Sequence, residues 1–247
     1  MTNISVVLIT LNEADNIRDF IANVSNITDD IIVVDAQSTD HTVEIAKKYS
    51  QVSVISHPWK GFSAARNLGA ESARYDWILA LDADERLSDR LISEINTLSF
   101  DNPEDVYSFS FLNYIGKTPV FYGSWSGVWV KRVYNKNFSS WQGDFVHERL
   151  RFSGRVVKLT GIFHHYSYRD WQHLYKKTDR YAYLASKKLK EKGREYSIVM
   201  HTLSPVWRFV RDFVVKGGFL DGRTGLFIAI NNARLVYKKY KYLKDIS

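Results

Sequence analysis

Residues 77–85, Trp-Ile-Leu-Ala-Leu-Asp-Ala-Asp-Glu, run five apolar side chains straight into three acids within four positions. An apolar run this short predicts a strand over Trp77–Leu81, buried in a sheet covered on both faces. The same pattern recurs upstream. Strands are predicted at Ile4–Thr10, Ile31–Asp35 and Val52–Ser56, and each ends in polar residues. Between them, helical spacing of apolar residues predicts helices over 14–24, 40–49 and 63–73, with another over 88–98 after the acids. Strands alternating with helices of about ten residues imply βαβ units and an α/β fold with a mostly parallel sheet. Residues 106–134 change character. Val106–Tyr114 alternates aromatic and small polar residues and Gly123–Tyr134 is rich in Trp, Gly and Val, which predicts mixed or antiparallel strands added at the sheet edge. From Asp170 helical patterns dominate, with breaks expected near Gly193, Pro205 and Gly217-Gly218.

The 247 residues carry a net charge of +7 that is unevenly distributed. Residues 166–247 hold 18 Lys/Arg against 7 Asp/Glu, whereas residues 1–165 hold 16 against 20. We therefore expect an acidic N-terminal domain over 1–165 and a basic, aromatic helical extension over 166–247. There is no cysteine, which excludes disulfides, thiolate metal sites and a cysteine nucleophile. The apolar run at Ile4–Thr10 lacks the basic flank and cleavage site of a signal peptide, and no stretch approaches the ~20 apolar residues of a membrane span. The expected setting is the cytoplasm.

In an open parallel sheet, ligands bind beyond the carboxyl ends of the strands. Those ends supply Thr10, Asn12 and Glu13, then Asp35, Gln37 and Ser38, then Asp82, Ala83 and Asp84. Neither GxGxxG nor GxxxxGK[ST] occurs, so acids and a metal would have to hold any nucleotide. Residues two apart in an extended segment point the same way, so Asp82 and Asp84 converge. Paired carboxylates without sulfur suit a hard cation, Mn²⁺ or Mg²⁺, which can neutralise a departing diphosphate. The alternative is a strand-to-helix turn in which Asp84 or a neighbour caps the helix. Asp35 can accept an imide N–H, while Ser38 either contacts a ribose or caps the next helix. Lys60 and Arg66 stand at a helix start suited to phosphate, or simply on a solvated face.

The ordered motifs SVVLITLNE, VVDAQSTDHT, KGFSAARN and LALDADE resemble family 2 glycosyltransferases of the GT-A fold, a Rossmann-like sheet flanked by helices. WVKRVYN, DFVHERL, HHYSYRD, DRYA and GFLDGRTG further resemble the lipopolysaccharide core β-glucosyltransferase subgroup. The resemblance covers nearly the whole chain. It implies a UDP-sugar donor, inversion at the anomeric carbon, a divalent metal on Asp84, and nucleotide contacts from Asn12, Glu13, Asp35 and Asp82. Ala36-Gln37 departs from the family, which commonly has Asp or Ser followed by Gly. Inversion needs a base, and Asp144 and Glu148 are the only acids between residues 106 and 163. Glu148 falls where the subgroup has its HE motif, and Asp144 is the reserve. A salt bridge to Arg149 or Arg151 is the plainer role for Glu148. His165 is a possible third metal ligand or a packing residue. His147, Trp125, Trp129 and Arg132 are candidates for the acceptor side.

The extension interleaves aromatic and basic residues, as at Tyr-Lys-Lys-Tyr-Lys-Tyr over 237–242. Helices with apolar faces flanked by Lys and Arg fit an anionic membrane surface, giving a peripheral enzyme on the inner face of the cell membrane. Packing on the catalytic domain or a homo-oligomer contact would use the same pattern. A nucleic-acid-binding module leaves the acidic strand ends without a purpose, so nucleic acid is not an expected partner. A nucleotidyltransferase would normally add a Gly-rich basic loop after the first strand, which is absent.

Overall fold

The computed structural model describes residues 2–143 and 148–246. The chain divides into two compact units, one formed by Met1–Phe111 with Trp129–His165, the other by Leu112–Val128 with Tyr166–Ser247. The excursion over 112–128 has no counterpart in the charge balance.

The first unit begins with β1 (Ile4–Thr10), α1 (Ile17–Val24), β2 (Ile31–Asp35), α2 (Thr42–Ala46), β3 (Val52–Ser56), α3 (Phe62–Ser72) and β4 (Trp77–Asp82). After the acids come β5 (Glu85–Leu87), α4 (Asp89–Asn96) and β6 (Val106–Ile115). β7 (Thr118–Val120) pairs with the end of β6. Then follow β8 (Trp129–Asn135), β9 (Ser140–Gln142), β10 (Arg149–Arg151) and β11 (Val156–Tyr168). The strand order is β3-β2-β1-β4-β8-β6-β11-β5. β1 through β4 are parallel, and β8 joins β4 antiparallel. The expected α/β sheet with an antiparallel edge is thus what the chain forms. The predicted helices over 14–24 and 40–49 shorten to Ile17–Val24 and Thr42–Ala46, because residues 14–16 and 40–41 form turns and bends ahead of them and 47–49 turn away after the second.

All seven residues of β1 and all five of β2 are buried, as expected of strands covered on both faces. The two-residue period sorts the core. Ile4, Val6 and Leu8 pack with Phe20 and Ile21 of α1 and with Leu91 and Ile95 of α4. Val7 and Ile9 face the other way, onto Ala65 and Ala70 of α3. Gly161 in β11 lets α4 lie directly on the strand, since a Cβ there would stand 2.5 Å from Leu91 Cα. Because that neighbour is backbone, Gly161→Ala is expected to lower stability by about 2–3 kcal/mol in urea unfolding. A loss below about 0.5 kcal/mol would show that the helix can retreat.

The second unit holds α5 (Trp171–Glu191), α6 (Ile198–Val210) and α7 (Gly222–Ile246). A π-helical turn at Arg211–Val215 follows α6, and a 3-10 turn at Gly218–Asp221 precedes α7. Asp170 caps α5 through His173 N–H. The expected break at Pro205 does not occur: the residue lies inside α6. It removes a single backbone bond, to the carbonyl four residues back, and the helix continues.

Candidate active site

The loops after β1 and β2 are bound to each other. Asp35, 1% exposed, accepts the Ser38 N–H at 2.9 Å and its hydroxyl at 2.5 Å. Ser38 Oγ in turn accepts from the Asn12 N–H at 2.9 Å, and Asn12 Oδ1 accepts from the Thr39 N–H at 2.8 Å. The Glu13 N–H donates to Thr42 Oγ1 at 2.8 Å. Thr10 is buried at the end of β1, its hydroxyl without a partner among the described residues. Ser38 does not cap α2, whose N-cap position is His41. Asn12 and Gln37 adopt φ of 57° and 65°. The left-handed region favours glycine, which explains the glycine common at the position of Gln37 in the resembling family. Here Gln37 takes that conformation itself.

At the end of β4 the acids take different roles. Asp82 Oδ1 accepts from Arg66 Nη2 at 3.0 Å, and Asp82 Oδ2 accepts from Arg132 Nη2 at 3.3 Å. Arg132 also donates to Glu85, whose side chain is 1% exposed. Glu85 Oε2 accepts the Asp82 N–H at 2.9 Å and so closes the turn. Arg66 continues the chain of charges to Glu148 Oε1, 3.0 Å from its Nη1, and lies 4.4 Å over the Trp141 ring. Burial alone would raise the Asp82 carboxyl, but the charges of Arg132 and Arg66 outweigh it and hold the group well below the usual carboxylate range. For Glu85 burial prevails, with the Asp82 charge behind it, and its carboxyl is pushed up despite Arg132.

Asp84 stands apart from this network. α4 is capped by Ser88, not by Asp84. β11 runs antiparallel to β5 with His165 opposite Glu85. That register puts His165 Nε2 3.4 Å from Asp84 Oδ2. Burial pulls the imidazole down, but the hydrogen bond and charge of Asp84, with Glu85 and Asp82 behind them, raise it overall. Adjacent ligands on an octahedral Mg²⁺-like ion are about 3 Å apart, so a carboxylate and an imidazole at 3.4 Å fit two positions on one cation. His165 Nδ1 is buried without a partner among the described residues. No third His, Asp or Glu joins the pair as a metal cluster among those residues. Mg²⁺ at a nucleotide is usually held by one or two carboxylates with phosphate oxygens and water for the rest; Asp84 would supply the carboxylate here and His165 a nitrogen donor.

A cleft of about 490 Å³ lies at the Arg66–Asp82–Arg132 network, lined by Lys131, Trp141 and Glu148 as well. The fold thus brings together Arg66 of α3, Asp82 at the end of β4, Arg132 of β8 and Glu148 ahead of β10. Arg66 and Arg132, expected at a phosphate and at the acceptor, are both engaged by carboxylates. Glu148 pairs with Arg66 rather than with Arg149 or Arg151. Lys60 sits in an exposed loop. Trp129 is 43% exposed with Lys158 4.9 Å over its ring. Trp125 belongs to the second unit, stacked on Tyr168 at 5.2 Å. Asp144 and His147 lie outside the described residues. Three contributors escape the motif reading: Glu85, Trp141 and Arg86. Arg86 donates to the carbonyls of Ala83, Glu85 and Asn16 at 2.7–2.8 Å, which fixes the turn carrying Asp84. Only the base that follows two acids in Asp-Glu-Arg over 84–86 hints at this.

A parallel sheet with acids and an imidazole at its carboxyl edge, extended by antiparallel strands, has the architecture of the GT-A fold. The chain belongs to glycosyltransferase family 2, whose profile, Glycosyl transferase family 2, matches residues 5–158. An uncharacterized glycosyltransferase of Rickettsia prowazekii is 31% identical over 263 residues, spanning 100% of this chain and 88% of the relative. Two solved structures share the fold at 14% identity. The mannosyltransferase PcManGT from Pyrobaculum calidifontis, in complex with GDP-Man and Mn²⁺, superposes with a TM-score of 0.54 over 99% of this chain and 88% of that one. S. aureus TarS 1-349 gives 0.50 over 97% and 91%. No described helix is long and apolar enough to cross a membrane.

Proposed function

We propose that the protein is a metal-dependent, inverting hexosyltransferase that moves a sugar from a UDP-sugar onto a glycan or lipid-linked acceptor. The observation that carries the reading is the Asp84–His165 pair at 3.4 Å, beside a buried network that fixes Asp82. Its similarity in fold to a transferase holding GDP-Man with Mn²⁺ supports a nucleotide-sugar donor and a divalent cation. UDP, glucose and a lipopolysaccharide-core acceptor follow from the subgroup resemblance, as does work on the inner face of the cell membrane. A bound Mn²⁺ or Mg²⁺ would neutralise the charge that develops on the leaving diphosphate.

The chain's own residues supply the rest. Asn12, Glu13, Asp35 and Ser38 shape the nucleotide end, with Thr10, Gln37 and Ala83 near it, and Lys60 is available to phosphate. Glu148 acts as the base. Its Oε1 is anchored by Arg66, and its Oε2 takes the proton of the acceptor hydroxyl as that oxygen attacks the anomeric carbon. The new C–O bond forms on the face opposite the breaking C–O bond to the diphosphate, which inverts the centre. Lys131, Trp141 and Arg132 bound the cleft where the acceptor would enter.

Glu148→Gln preserves shape and removes the base, so transfer should fall by roughly a hundredfold while UDP-sugar binding is retained. Single-turnover transfer and calorimetric donor titration on the same preparation check this. Normal transfer by the variant would move the base to another group.

A further inference from the structure

The second unit contains a helix built inside out. On α6 and the turn after it, Val199, Leu203, Val206, Trp207, Val210 and Val214 recur at helical spacing, forming one apolar stripe. They are 36–61% exposed, and α6 has no buried residue. The charged residues go the other way. Arg208 and Arg211 both donate to Asp212, which is 2% exposed and also accepts from Ser124 and Asn232. A helix on a water-facing surface puts its charges outward and its apolar side inward. This one reverses that arrangement, and an exposed apolar stripe of this kind marks a contact surface.

We propose that the Val199–Val214 stripe seats in the surface of an anionic lipid bilayer. The proposal deepens the membrane assignment made above by naming the face. Charge selects the occupant: residues 166–247 carry 18 Lys/Arg against 7 Asp/Glu, which an anionic leaflet attracts. A second copy meeting the same face would bring an equal positive charge against it. No described helix is long and apolar enough to span, so the stripe lies in the interface plane with Trp207 at headgroup depth.

The test is flotation of the full chain with phosphatidylcholine vesicles, with and without phosphatidylglycerol. Wild type should float with the anionic vesicles only, and Leu203→Glu/Val206→Glu should bind them at least roughly tenfold more weakly. The substituted residues are exposed, so transfer to a water-soluble acceptor should be unchanged. In parallel, brominated lipid should quench a fluorescence component present in wild type and absent from Trp207→Phe. Binding by wild type that the double variant retains, or an unquenched Trp207, would overturn this face while leaving a membrane site elsewhere. No vesicle binding by wild type would overturn the membrane assignment itself. A solution dimer dissolved by the double variant, without vesicle binding, would assign the stripe to a second copy.

Discussion

Asp84→Ala is expected to lower sugar transfer by roughly a thousandfold, which corresponds to about 4 kcal/mol of transition-state stabilisation. The melting temperature should stay within about 2–3 °C of wild type, because a partly exposed ion pair contributes only about 0–1 kcal/mol. The contact that Asp84 makes is with His165, and both side chains are about a quarter exposed. Its neighbour could not separate chemistry from folding in this way. Asp82 is tied to two guanidinium groups that are 5% and 9% exposed, so its removal unbalances buried charge. Enzyme assays beside differential scanning calorimetry check the prediction. A variant at Asp84 that transfers normally would remove the metal from the mechanism.

Arg132→Leu should show the opposite profile, a large loss of stability. Arg132 is what offsets the negative charge of Glu85, which is 1% exposed, and it shares Asp82 with Arg66. Breaking a buried pair from one side typically costs about 3–5 kcal/mol. The deficit should depend on pH. Glu85 already titrates above its ordinary value of 4.5 because of burial and the Asp82 charge, and Arg132 is the largest influence lowering it. A carboxyl raised in the folded state binds its proton more tightly there, so it favours folding at low pH and loses that contribution as pH rises. Without Arg132 the rise is greater. Denaturant titrations should therefore find Arg132→Leu closer to wild type at pH 5 than at pH 8. A deficit that is flat across this range, or larger at pH 5, would mean Glu85 does not carry the effect.

The parallel half of the fold was legible because its signal is local. Apolar runs such as Ile31–Val34 and Trp77–Leu81 are buried on both faces, and polar residues mark their ends. The first two helices were overextended because Asn12, Ser38 and Asp40 bind backbone across loops, a competition that spacing does not encode. The excursion of 112–128 into the second unit depends on long-range bonds, such as Asp221 accepting from the Tyr122 N–H at 2.8 Å. At the site, strand ends identified Asp82 and Asp84. What could not be read was the partition between them: Asp82 held by arginines from 16 and 50 residues away, Asp84 left to His165. Arg66 shows the same limit. Its place at the start of α3 suggested a phosphate, yet it is a buried link between Asp82 and Glu148.

The central claim is that this family 2 glycosyltransferase holds a nucleotide sugar through a divalent cation on Asp84 and His165. Calorimetric titration of UDP and UDP-glucose into wild type and Asp84→Ala, with Mn²⁺ and again with EDTA, tests it most directly. Wild type with Mn²⁺ should bind UDP saturably, with affinity weakened at least roughly tenfold by EDTA and equally by the substitution. Equal affinity under all four conditions, or no binding of UDP in any of them, would contradict it.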